Sequence, residues 1–395
     1  MNTPISIIGA GIGGLAVAIA LQKRGYPVIV YEAAAELQPV GSGITMPPNA
    51  LAVLDELGVA AAVQRRGMQI TCAEVWDVQH GRLQTLDTSV QTRTGRLTLT
   101  AIHRAELHAA LVEALAAGTL QLGKALVRVE QNADAVQAHF GDGSSAEASI
   151  LISADGLRSA VRHQLWPAAQ LRYSGQGSYR GIARMALPAA LAPIAREYWA
   201  PGCRFGFVAI SPDTTYWYAT IEAAAGQLRQ QDPSDTLQRA FGDFPEPIAA
   251  LLAATPGEQL VCTDIYDLQR LDRWDNGRII LLGDAAHACT PNLGQGGAQA
   301  IEDAAVLADA LAGASSYREA FQHYQAQRRR RTQLITGQSR MLGRAAHLAH
   351  PWARAARNAA MRHMPARMAR NQAAFLYGAG SPTFGTDTSS ATSDV

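Results

Sequence analysis

The sequence predicts an α/β fold: a Rossmann-like nucleotide-binding domain with an inserted, mostly antiparallel β-sheet domain, followed by C-terminal helices. Strand and helix patterns alternate through the first third of the 395 residues, which is typical of a parallel sheet covered by helices. Residues 170–264 are richer in strand formers and aromatic residues. Helix patterns return after Gln295 and continue, with breaks, to about Tyr377. A chain of this length is long enough to form two domains.

The first apolar strand, residues 5–8, leads directly into the run Gly9-Ala10-Gly11-Ile12-Gly13-Gly14, and a helix pattern follows over 15–23. In this context G-x-G-x-x-G is typical of a dinucleotide site. The glycines allow a close backbone approach, and the free N–H groups at the helix N-terminus favour a pyrophosphate. The second strand, residues 28–31, ends at Glu32, whose carboxylate can accept hydrogen bonds from ribose hydroxyls. The alternative is a tight turn without a ligand.

Two further apolar strands end in short polar motifs. Residues 150–154 lead into Asp155-Gly156, with Ser159 and Arg162 following at helical spacing. Residues 278–282 lead into Gly283-Asp284, and then come His287, Pro291 and the run Gly294-Gln295-Gly296-Gly297. Ligands of parallel sheets lie at the carboxyl ends of the strands. We therefore expect all three motifs to converge on one crevice, although each alone could be a structural turn.

The other elements divide the chain into domains. We predict a hairpin of strands 72–78 and 81–86, a helix over 104–116, and strands 126–130, 135–140 and 148–153, with Asp142-Gly143 as the turn between the last two. The predicted division is a discontinuous nucleotide-binding domain (1–70, 98–168 and 265–345), a second domain (71–97 and 169–264), C-terminal helices (346–377) and a disordered tail (378–395). We interpret most aromatic residues of 170–264 as sheet core.

Composition and charge restrict the classes of function. The four cysteines form no C-x-x-C pair, and no His, Asp or Glu spacing indicates a metal site. The first strand begins near Ile5, so we expect no signal peptide and a cytoplasmic protein without a membrane span. Residues 318–370 hold twelve arginines and one acid, Glu319. This excess could bind nucleic acid or an anionic membrane, or attract anionic substrates, but we favour a long solvated helix that covers the first domain.

With these motifs the chain resembles the single-component flavoprotein monooxygenases of the para-hydroxybenzoate hydroxylase type over roughly residues 1–375. The motifs look like that family's glycine fingerprint, its D-G motif and its G-D motif. The stretch 291–297, followed by Glu302-Asp303, is typical of the salicylate, 6-hydroxynicotinate and urate hydroxylase branch. The resemblance implies FAD as cofactor, NAD(P)H and O₂ as co-substrates, and hydroxylation of a small planar aromatic or heteroaromatic compound through a C4a-hydroperoxyflavin.

The resemblance also assigns cofactor-binding residues. It implies that the loop of Gly9, Gly11, Gly13 and Gly14 holds the pyrophosphate, that Glu32 holds the ribose, and that Arg104 contacts the FAD chain. Asp155 would lie near the pyrophosphate and the path of NAD(P)H, and Asp284 at the ribityl region. The remaining cofactor residues are Ala33 and Val127, then Gly41 to Thr45 on one side of the flavin ring, and Pro291, Gly294, Gln295, Gly296, Gly297 and Ala298 beside it. A helix beginning near Gln295 would direct N–H groups at the flavin pyrimidine edge.

Candidate substrate residues are Tyr216, Arg204 and Arg180. Tyr216 and Arg204 are similar to residues that orient the planar substrate in urate hydroxylases, but a core tyrosine and a structural ion pair are the alternatives. Arg180 reaches the flavin or the substrate, or lies on the surface. The hydroxynicotinate enzymes have a histidine where this chain has Thr45. We interpret His287 and His103 as structural.

Two other functions remain open at this point. One is an isoprenoid or alkene epoxidase of similar fold, and the other is a non-catalytic flavin-binding regulator. We expect a monomer or a homodimer, and no nucleic-acid partner.

Overall fold

A computed structural model of the chain describes residues 3–37, 42–92 and 95–378. Gly41 and the predicted tail beyond Gly378 lie outside these ranges. The strands are, in chain order, β1 (Ile5–Ile8), β2 (Val28–Tyr31), β3 (Gly43–Met46), β4 (Met68–Ile70), β5 (Cys72–Asp77), β6 (Gly81–Asp87), β7 (Ser89–Thr92), β8 (Gly95–His103), β9 (Leu120–Gln121), β10 (Leu126–Gln131), β11 (Val136–Phe140), β12 (Ser145–Ala148), β13 (Leu151–Ser153), β14 (Leu171–Ala183), β15 (Ile194–Ala200), β16 (Cys203–Ser211), β17 (Thr214–Glu222), β18 (Val261–Leu268), β19 (Asp275–Asn276) and β20 (Ile279–Leu281).

The helices are α1 (Ile12–Gln22), α2 (Pro48–Glu56), α3 (Ala60–Arg66), α4 (Arg104–Glu113), α5 (Ala160–Leu165), α6 (Pro233–Phe241), α7 (Ile248–Ala253), α8 (Asp284–His287), α9 (Gly296–Gly313), α10 (Tyr317–Ala346), α11 (Pro351–Arg362) and α12 (Ala366–Tyr377). Short 3₁₀ helices cover Gln227–Gln230, Gly257–Gln259 and Pro291–Leu293. In the described part of the chain, no helix combines the length and the apolar character that crossing a membrane requires.

The main sheet has the strand order β19-β20-β13-β1-β2-β9. Its pairs from β20 to β9 are parallel, and only β19 is antiparallel to its neighbour. Strands β1, β13 and β20 are fully buried, as expected for parallel strands covered on both faces. Because these strands are parallel, Gly9, Asp155 and Asp284 follow them at the same edge of the sheet.

A second sheet has the order β18-β14-β17-β16-β15-β5-β6 and is antiparallel except between β15 and β5. On one face Phe205 stacks on Trp217 with ring centroids 5.1 Å apart, and Phe241 of α6 packs against Phe205. Tyr179, Phe207 and Tyr198 lie in the same core. The prediction that most of these aromatic residues form sheet core is therefore confirmed. Tyr216 and Tyr218 alternate with Trp217 and belong to the opposite face.

The structure differs from the predicted elements at two places. The strand predicted at 148–153 is two strands, since β12 pairs antiparallel with β11 while β13 enters the main sheet. The predicted boundary at 97/98 falls inside β8, which pairs with β3, β4 and β7 in a small separate sheet. Strands β5 and β6 do join the second sheet, in line with the predicted assignment of that hairpin.

The C-terminal helices return across the molecule. Helix α10 packs along α9, and α11 packs on β6. The Asp77 carboxylate at the end of β5 accepts hydrogen bonds from α11, at 3.2 Å from Arg354, 3.2 Å from Arg357 and 3.0 Å from Asn358. This buried carboxylate thus attaches α11 to the second sheet.

Candidate active site

Direct contacts join the three strand-end motifs at one crevice. A Cβ atom at Gly9 would lie 2.6 Å from the carbonyl oxygen of Ala154, directly before Asp155. The guanidinium of Arg162 donates to the carbonyls of Leu157 and, at 3.0 Å, of Ala285, directly after Asp284. The structure therefore brings together the three motifs that sequence reasoning singled out.

Each glycine of the first motif has a different reason to lack a side chain. Gly9 has φ +99°, a left-handed conformation that disfavours other residues. A Cβ at Gly13 would come within 2.8 Å of the Leu282 side chain, and a Cβ at Gly14 would overlap the carbonyl of Gly9. At Gly11 a Cβ would meet no protein atom within 4 Å. Open space at the N-terminus of α1, where the first N–H groups have no intrahelical partner, fits an anionic pyrophosphate.

Glu32 closes one end of the crevice. Its carboxylate accepts hydrogen bonds from the backbone N–H groups of Ala10 at 2.8 Å and Ala34 at 3.0 Å. The backbone N–H of Lys124 donates to the Glu32 carbonyl at 2.7 Å and so brings the segment before β10 alongside. Ala33 is exposed, and Val127 is 63% exposed. Ala33, which follows Glu32 directly, thus leaves room for a ligand there, and the Val127 side chain is open to solvent.

Asp155 is held by its own turn. Its carboxylate accepts hydrogen bonds from the Ser153 hydroxyl and from the backbone N–H of Val161 at 3.3 Å. Ser159 caps the following helix by accepting from the Arg162 N–H at 2.9 Å. Gly156 follows with φ +77° and open space where a side chain would be. This turn keeps the crevice clear next to the glycine loop.

Asp284 is exposed and begins α8, and a Cβ at Gly296 would lie 4.0 Å from one of its carboxylate oxygens. Desolvation raises the pKa of its carboxyl, and the positive charges of His287, Arg104 and Arg162 oppose that rise. Among the described residues no side chain or backbone group donates a hydrogen bond to it. A carboxylate without a protein donor can accept hydrogen bonds from the hydroxyls of a ribityl chain.

The loop before α9 faces β3. A Cβ at Gly294 would lie 3.5 Å from the Thr45 hydroxyl, and one at Gly297 would lie 3.4 Å from Ile44. A Cβ at Gly296 would be 4.0 Å from an Asp284 carboxylate oxygen. Pro291 and Gly294 are exposed, whereas Gln295 and Ala298 are buried. The N-terminus of α9 therefore opens toward the crevice without side chains at Gly296 and Gly297.

Arg104 is the first residue of α4, whose N-cap His103 accepts from the Ala105 N–H at 3.1 Å through Nδ1. Burial lowers the pKa of His103, which suits the neutral capping form. The Arg104 side chain is exposed and, in the described residues, makes no hydrogen bond. Its charge acts on both Asp284 and Tyr216, so it lies between the cofactor crevice and the second sheet.

Tyr216 is half-buried and lies against Gly43, where any side chain would overlap its ring. Burial raises the pKa of Tyr216, and the charges of Arg180 and Arg104 partly oppose this rise. Within the described ranges, neither the Tyr216 hydroxyl nor the Arg180 guanidinium has a hydrogen-bond partner. Both predicted residues therefore keep polar groups that are available to a ligand, and Tyr216 lies against β3, the strand that faces the loop before α9.

Arg204, in contrast, is 1% exposed and fully engaged. Its guanidinium donates to Thr220 at 2.9 Å, to Glu197 at 3.0 Å and to the side chain of Asn292 in the loop before α9. Tyr218 donates to the same Glu197 carboxylate. These contacts favour the ion-pair alternative for Arg204 over direct substrate contact.

Sequence reasoning missed Glu197, Tyr218 and the role of Asn292 within its motif. The alternation of Tyr216, Tyr218 and Thr220 along β17 could have indicated a shared face, but nothing local points to Glu197 on β15. His287, which we interpret as structural, has its Nε2 2.5 Å from an Asp303 carboxylate oxygen, and this contact supports that interpretation.

The fold and this crevice define a dinucleotide-binding site, with a Rossmann-type sheet, open space at Gly11 and an Asp284 carboxylate that has no hydrogen-bond donor in the described residues. These features fit FAD, with its pyrophosphate at the N-terminus of α1. Among the described residues there is no cluster of three or more side chains that could hold a metal ion.

Residues 2–339 match the FAD binding domain family, and the chain belongs to this family. It is 36% identical over 372 residues to 2-heptyl-3-hydroxy-4(1H)-quinolone synthase of Pseudomonas aeruginosa, covering 91% of this chain and 94% of the relative. It is 34% identical over 330 residues to FAD-dependent urate hydroxylase of Klebsiella pneumoniae, covering 82% and 85%. The structure of Klebsiella pneumoniae HpxO complexed with FAD and uric acid superposes with TM-score 0.85 at 28% identity, covering 96% of this chain and 98% of that one.

These comparisons confirm the predicted fold class, cofactor and reaction. The protein is an FAD-dependent monooxygenase of the aromatic hydroxylase branch, with NAD(P)H as co-substrate.

Proposed function

We propose that this enzyme hydroxylates a planar heteroaromatic ring at a carbon made electron-rich by a ring oxygen substituent, as in a 4-quinolone or a purine trione. The observation that carries this proposal is the Tyr216 hydroxyl, which has no hydrogen-bond partner in the described residues, within the electrostatic reach of an equally unpartnered Arg180 guanidinium and against Gly43 of β3, the strand that faces the loop before α9. A phenol and a guanidinium together can bind the edge of a ring that carries an oxygen, neutral or anionic.

FAD, when bound, takes hydride from NAD(P)H and activates O₂, while the protein supplies position and electrostatics. We assign the pyrophosphate to the glycine loop from Gly9 to Gly14, the ribose to Glu32 with Ala33 and Val127 beside the adenosine, and the chain to Arg104 and Asp155. Asp284 would then hold the ribityl hydroxyls. The residues that would lie around the flavin ring are Pro291, Gly294, Gln295, Gly296, Gly297, Ala298 and Thr45. The open N-terminus of α9 would stabilise negative charge on the reduced ring.

Tyr216 would act as a neutral hydrogen-bond donor. The raised pKa keeps its phenol protonated at neutral pH, so it can donate to an oxygen of the substrate. Arg180 would stabilise the anionic form of that substrate and increase the electron density of its ring. Neither residue has to form a covalent bond, because the oxygen comes from the cofactor.

Arg204 would act indirectly. Since it binds Asn292 and Glu197, we propose that it positions the loop before α9 rather than contacting the substrate. This assignment replaces the substrate role expected from the sequence with the ion-pair alternative.

The named relatives support the substrate class. One is named for a 3-hydroxy-4(1H)-quinolone product and another for urate hydroxylation, and both names describe nitrogen heterocycles with oxygen substituents on ring carbons. Other relatives are named for 6-hydroxynicotinate and 3-amino-4-hydroxybenzoate, whose rings also carry an electron-donating oxygen substituent.

We also propose that the chain divides into two domains along the predicted boundaries, except at β8. The enzyme is further proposed to act in the cytoplasm. Cys72, Cys203, Cys262 and Cys289 are free thiols, which supports a reducing compartment. Gel filtration with light scattering would distinguish a monomer from a homodimer.

The test is a screen of NAD(P)H oxidation, peroxide release and product mass. The panel contains 2-alkyl-4-quinolones, urate, 6-hydroxynicotinate, 3-amino-4-hydroxybenzoate and salicylate, with an isoprenoid alkene for the epoxidase alternative. We expect a nitrogen heterocycle to stimulate NAD(P)H oxidation and gain one oxygen with little peroxide. Turnover of the alkene alone, or no turnover of any ring by the FAD-loaded protein, would overturn the proposal.

A further inference from the structure

A buried ionic cluster lies behind the crevice, formed by Glu302 and Asp303 of α9 and Arg328 and Arg331 of α10. Arg328 is 1% exposed, and it donates to the Asp303 carboxylate at 2.7 Å and to the Glu302 carboxylate. Ion pairs this deeply buried add little net stability, because desolvation opposes the Coulomb attraction. Their geometry, however, restricts the elements that they join.

Asp303 joins the cluster to the G-D motif. Its second carboxylate oxygen accepts from the backbone N–H of Gly283 at 3.1 Å and contacts His287 at 2.5 Å. Gly283 directly precedes Asp284. The cluster therefore fixes the turn that directs the Asp284 carboxylate into the crevice.

Glu302 joins the cluster to the first turn of α9. Its carboxylate accepts from the Asn49 side chain at 2.6 Å and from Gln299 at 3.2 Å. Asn49 also donates to the Gln295 side chain at 3.1 Å. Glu302 thus holds, through two amide side chains, the helix end at which Gly296 and Gly297 open toward the crevice.

Arg331 connects this cluster to the C-terminal helix α12. Its guanidinium donates to Glu302 at 3.0 and 3.1 Å. The same guanidinium donates to the backbone carbonyls of Phe375 at 2.9 Å and Gly378 at 3.3 Å, and it lies 5.7 Å from the centre of the Phe375 ring. Leu376 and Tyr377 are buried beside it. One side chain therefore connects the end of α12 to the acid that holds α9.

We propose that Arg331 is a positioning residue for FAD. It docks α12 and neutralises Glu302, so that the N-terminus of α9 keeps its position and its positive electrostatic potential at the flavin ring. This inference rests on the proposed placement of the ring at that helix end. Loss of the Arg331 charge would leave an additional negative charge behind α9. A negative charge there opposes the negative charge that reduction places on the flavin, so the reduction potential should fall.

The test compares Arg331→Gln with Arg330→Gln, a matched control one residue away. Arg330 is exposed and has no hydrogen-bond partner among the described residues. We expect Arg331→Gln to lower the reduction potential of bound FAD, to raise its dissociation constant at least threefold, and to expose residues 363–378 to limited proteolysis in the FAD-free protein. Arg330→Gln should match the wild type in all three measurements.

A second variant separates charge from docking. Arg331→Lys keeps the positive charge but loses the fork that binds the Phe375 and Gly378 carbonyls together with Glu302. It should restore the reduction potential but not the protection from protease. An unchanged potential and dissociation constant in Arg331→Gln would overturn the proposal. These measurements involve no substrate, so they stand independently of the substrate screen.

Discussion

The guanidinium of Arg162 lies 3.0 Å from the carbonyl oxygen of Ala285, and this contact joins the motif after β13 to the motif after β20. The same guanidinium donates to the Leu157 carbonyl on its own side and approaches the Asp284 carbonyl at 3.4 Å. Arg162 is 4% exposed. One buried side chain thus sets the spacing between two of the three strand ends that form the crevice.

Arg162→Lys should weaken FAD binding and the fold together. A lysine has one nitrogen and cannot donate to Leu157 and Ala285 at once, and an unsatisfied buried carbonyl costs about 1–3 kcal/mol. We expect the free energy of unfolding to fall by that amount and the FAD dissociation constant to rise about tenfold, measured by urea unfolding and flavin fluorescence. Arg158→Lys, at an exposed neighbour, should change neither quantity. Equal values for the two variants would contradict the bridging role.

Asp284→Ala should sharply lower FAD retention without a large loss of stability. The carboxylate has no hydrogen-bond donor among the described residues, so its removal leaves no protein group unsatisfied. Charge-assisted hydrogen bonds to a ligand contribute about 1.5–3 kcal/mol, which corresponds to roughly a ten- to hundredfold weaker affinity. Flavin content after dialysis measures the effect, with Asp309→Ala on α9 as the control. Wild-type flavin content in Asp284→Ala would remove this residue from the site.

Gly11→Ala tests the pyrophosphate position. A methyl group there meets no protein atom, so the FAD-free protein should lose only the small stability that alanine costs at an N-cap, about 0.5–1 kcal/mol. It would project into the space assigned to the pyrophosphate, and overpacking of this kind costs about 1–3 kcal/mol. We therefore expect FAD affinity to fall about tenfold in a titration. Gly257→Ala also adds a methyl group in open space, but away from the crevice, and should bind FAD normally. Full affinity in Gly11→Ala would place the pyrophosphate elsewhere.

Asp77→Asn should destabilise the protein most at neutral pH, and its cost should decrease progressively as the pH falls below about 4. Burial opposes ionisation of Asp77, but hydrogen bonds from Asn358, His80 and Arg354 outweigh it and hold its pKa well below the usual range. A depressed pKa contributes stability above the unfolded value of about 4, and this contribution is lost as the pH falls toward the folded pKa.

At pH 7, removal of one partner of a buried ion pair costs about 3–5 kcal/mol. Urea unfolding of the wild type and Asp77→Asn at pH 7, 4 and 3 should show this difference shrinking with acidification. Asp272→Asn, at an acid whose side chain is 87% exposed, provides the control. A difference that does not depend on pH would mean that the Asp77 charge has no part in docking α11.

The local motifs were sufficient to predict the main sheet and its crevice. The strands before Gly9, Asp155 and Asp284 are each continuous apolar runs that end in a turn, and parallel pairing then places their ends together. Strand partners are less predictable. Residues 148–153 look like one strand, but Ala148 and Leu151 pair with strands of different sheets. Nothing local distinguishes these two partners, because pairing depends on contacts distant in sequence.

The site was predictable where backbone geometry defines it and less so where side chains meet. The resemblance indicated Arg204 and Tyr216 as substrate residues on adjacent strands, and they do lie on the paired strands β16 and β17, but their hydrogen bonds differ. Arg204 finds Glu197 on β15 and Asn292 after β20, whereas Tyr216 has no such partner in the described residues. The partners of the arginines in 318–370 were equally hard to predict. Most of these arginines lie outside the buried cluster, but Arg328 and Arg331 bind Glu302, more than 25 positions earlier.

Tyr216→Phe should keep FAD bound but reduce the fraction of NAD(P)H that yields hydroxylated product. The phenol is half-buried over Gly43, and phenylalanine fills the same space, so the fold and flavin content should not change. The lost hydroxyl removes one donor to the substrate, worth about 0.5–1.5 kcal/mol, or roughly three- to tenfold in productive turnover. Peroxide release should increase, because a poorly oriented ring fails to intercept the oxygen. The measurement is the ratio of product to NAD(P)H consumed for the best substrate of the screen. Tyr266→Phe, on the edge strand β18, is the matched control, and a wild-type ratio in Tyr216→Phe would exclude the tyrosine from substrate binding.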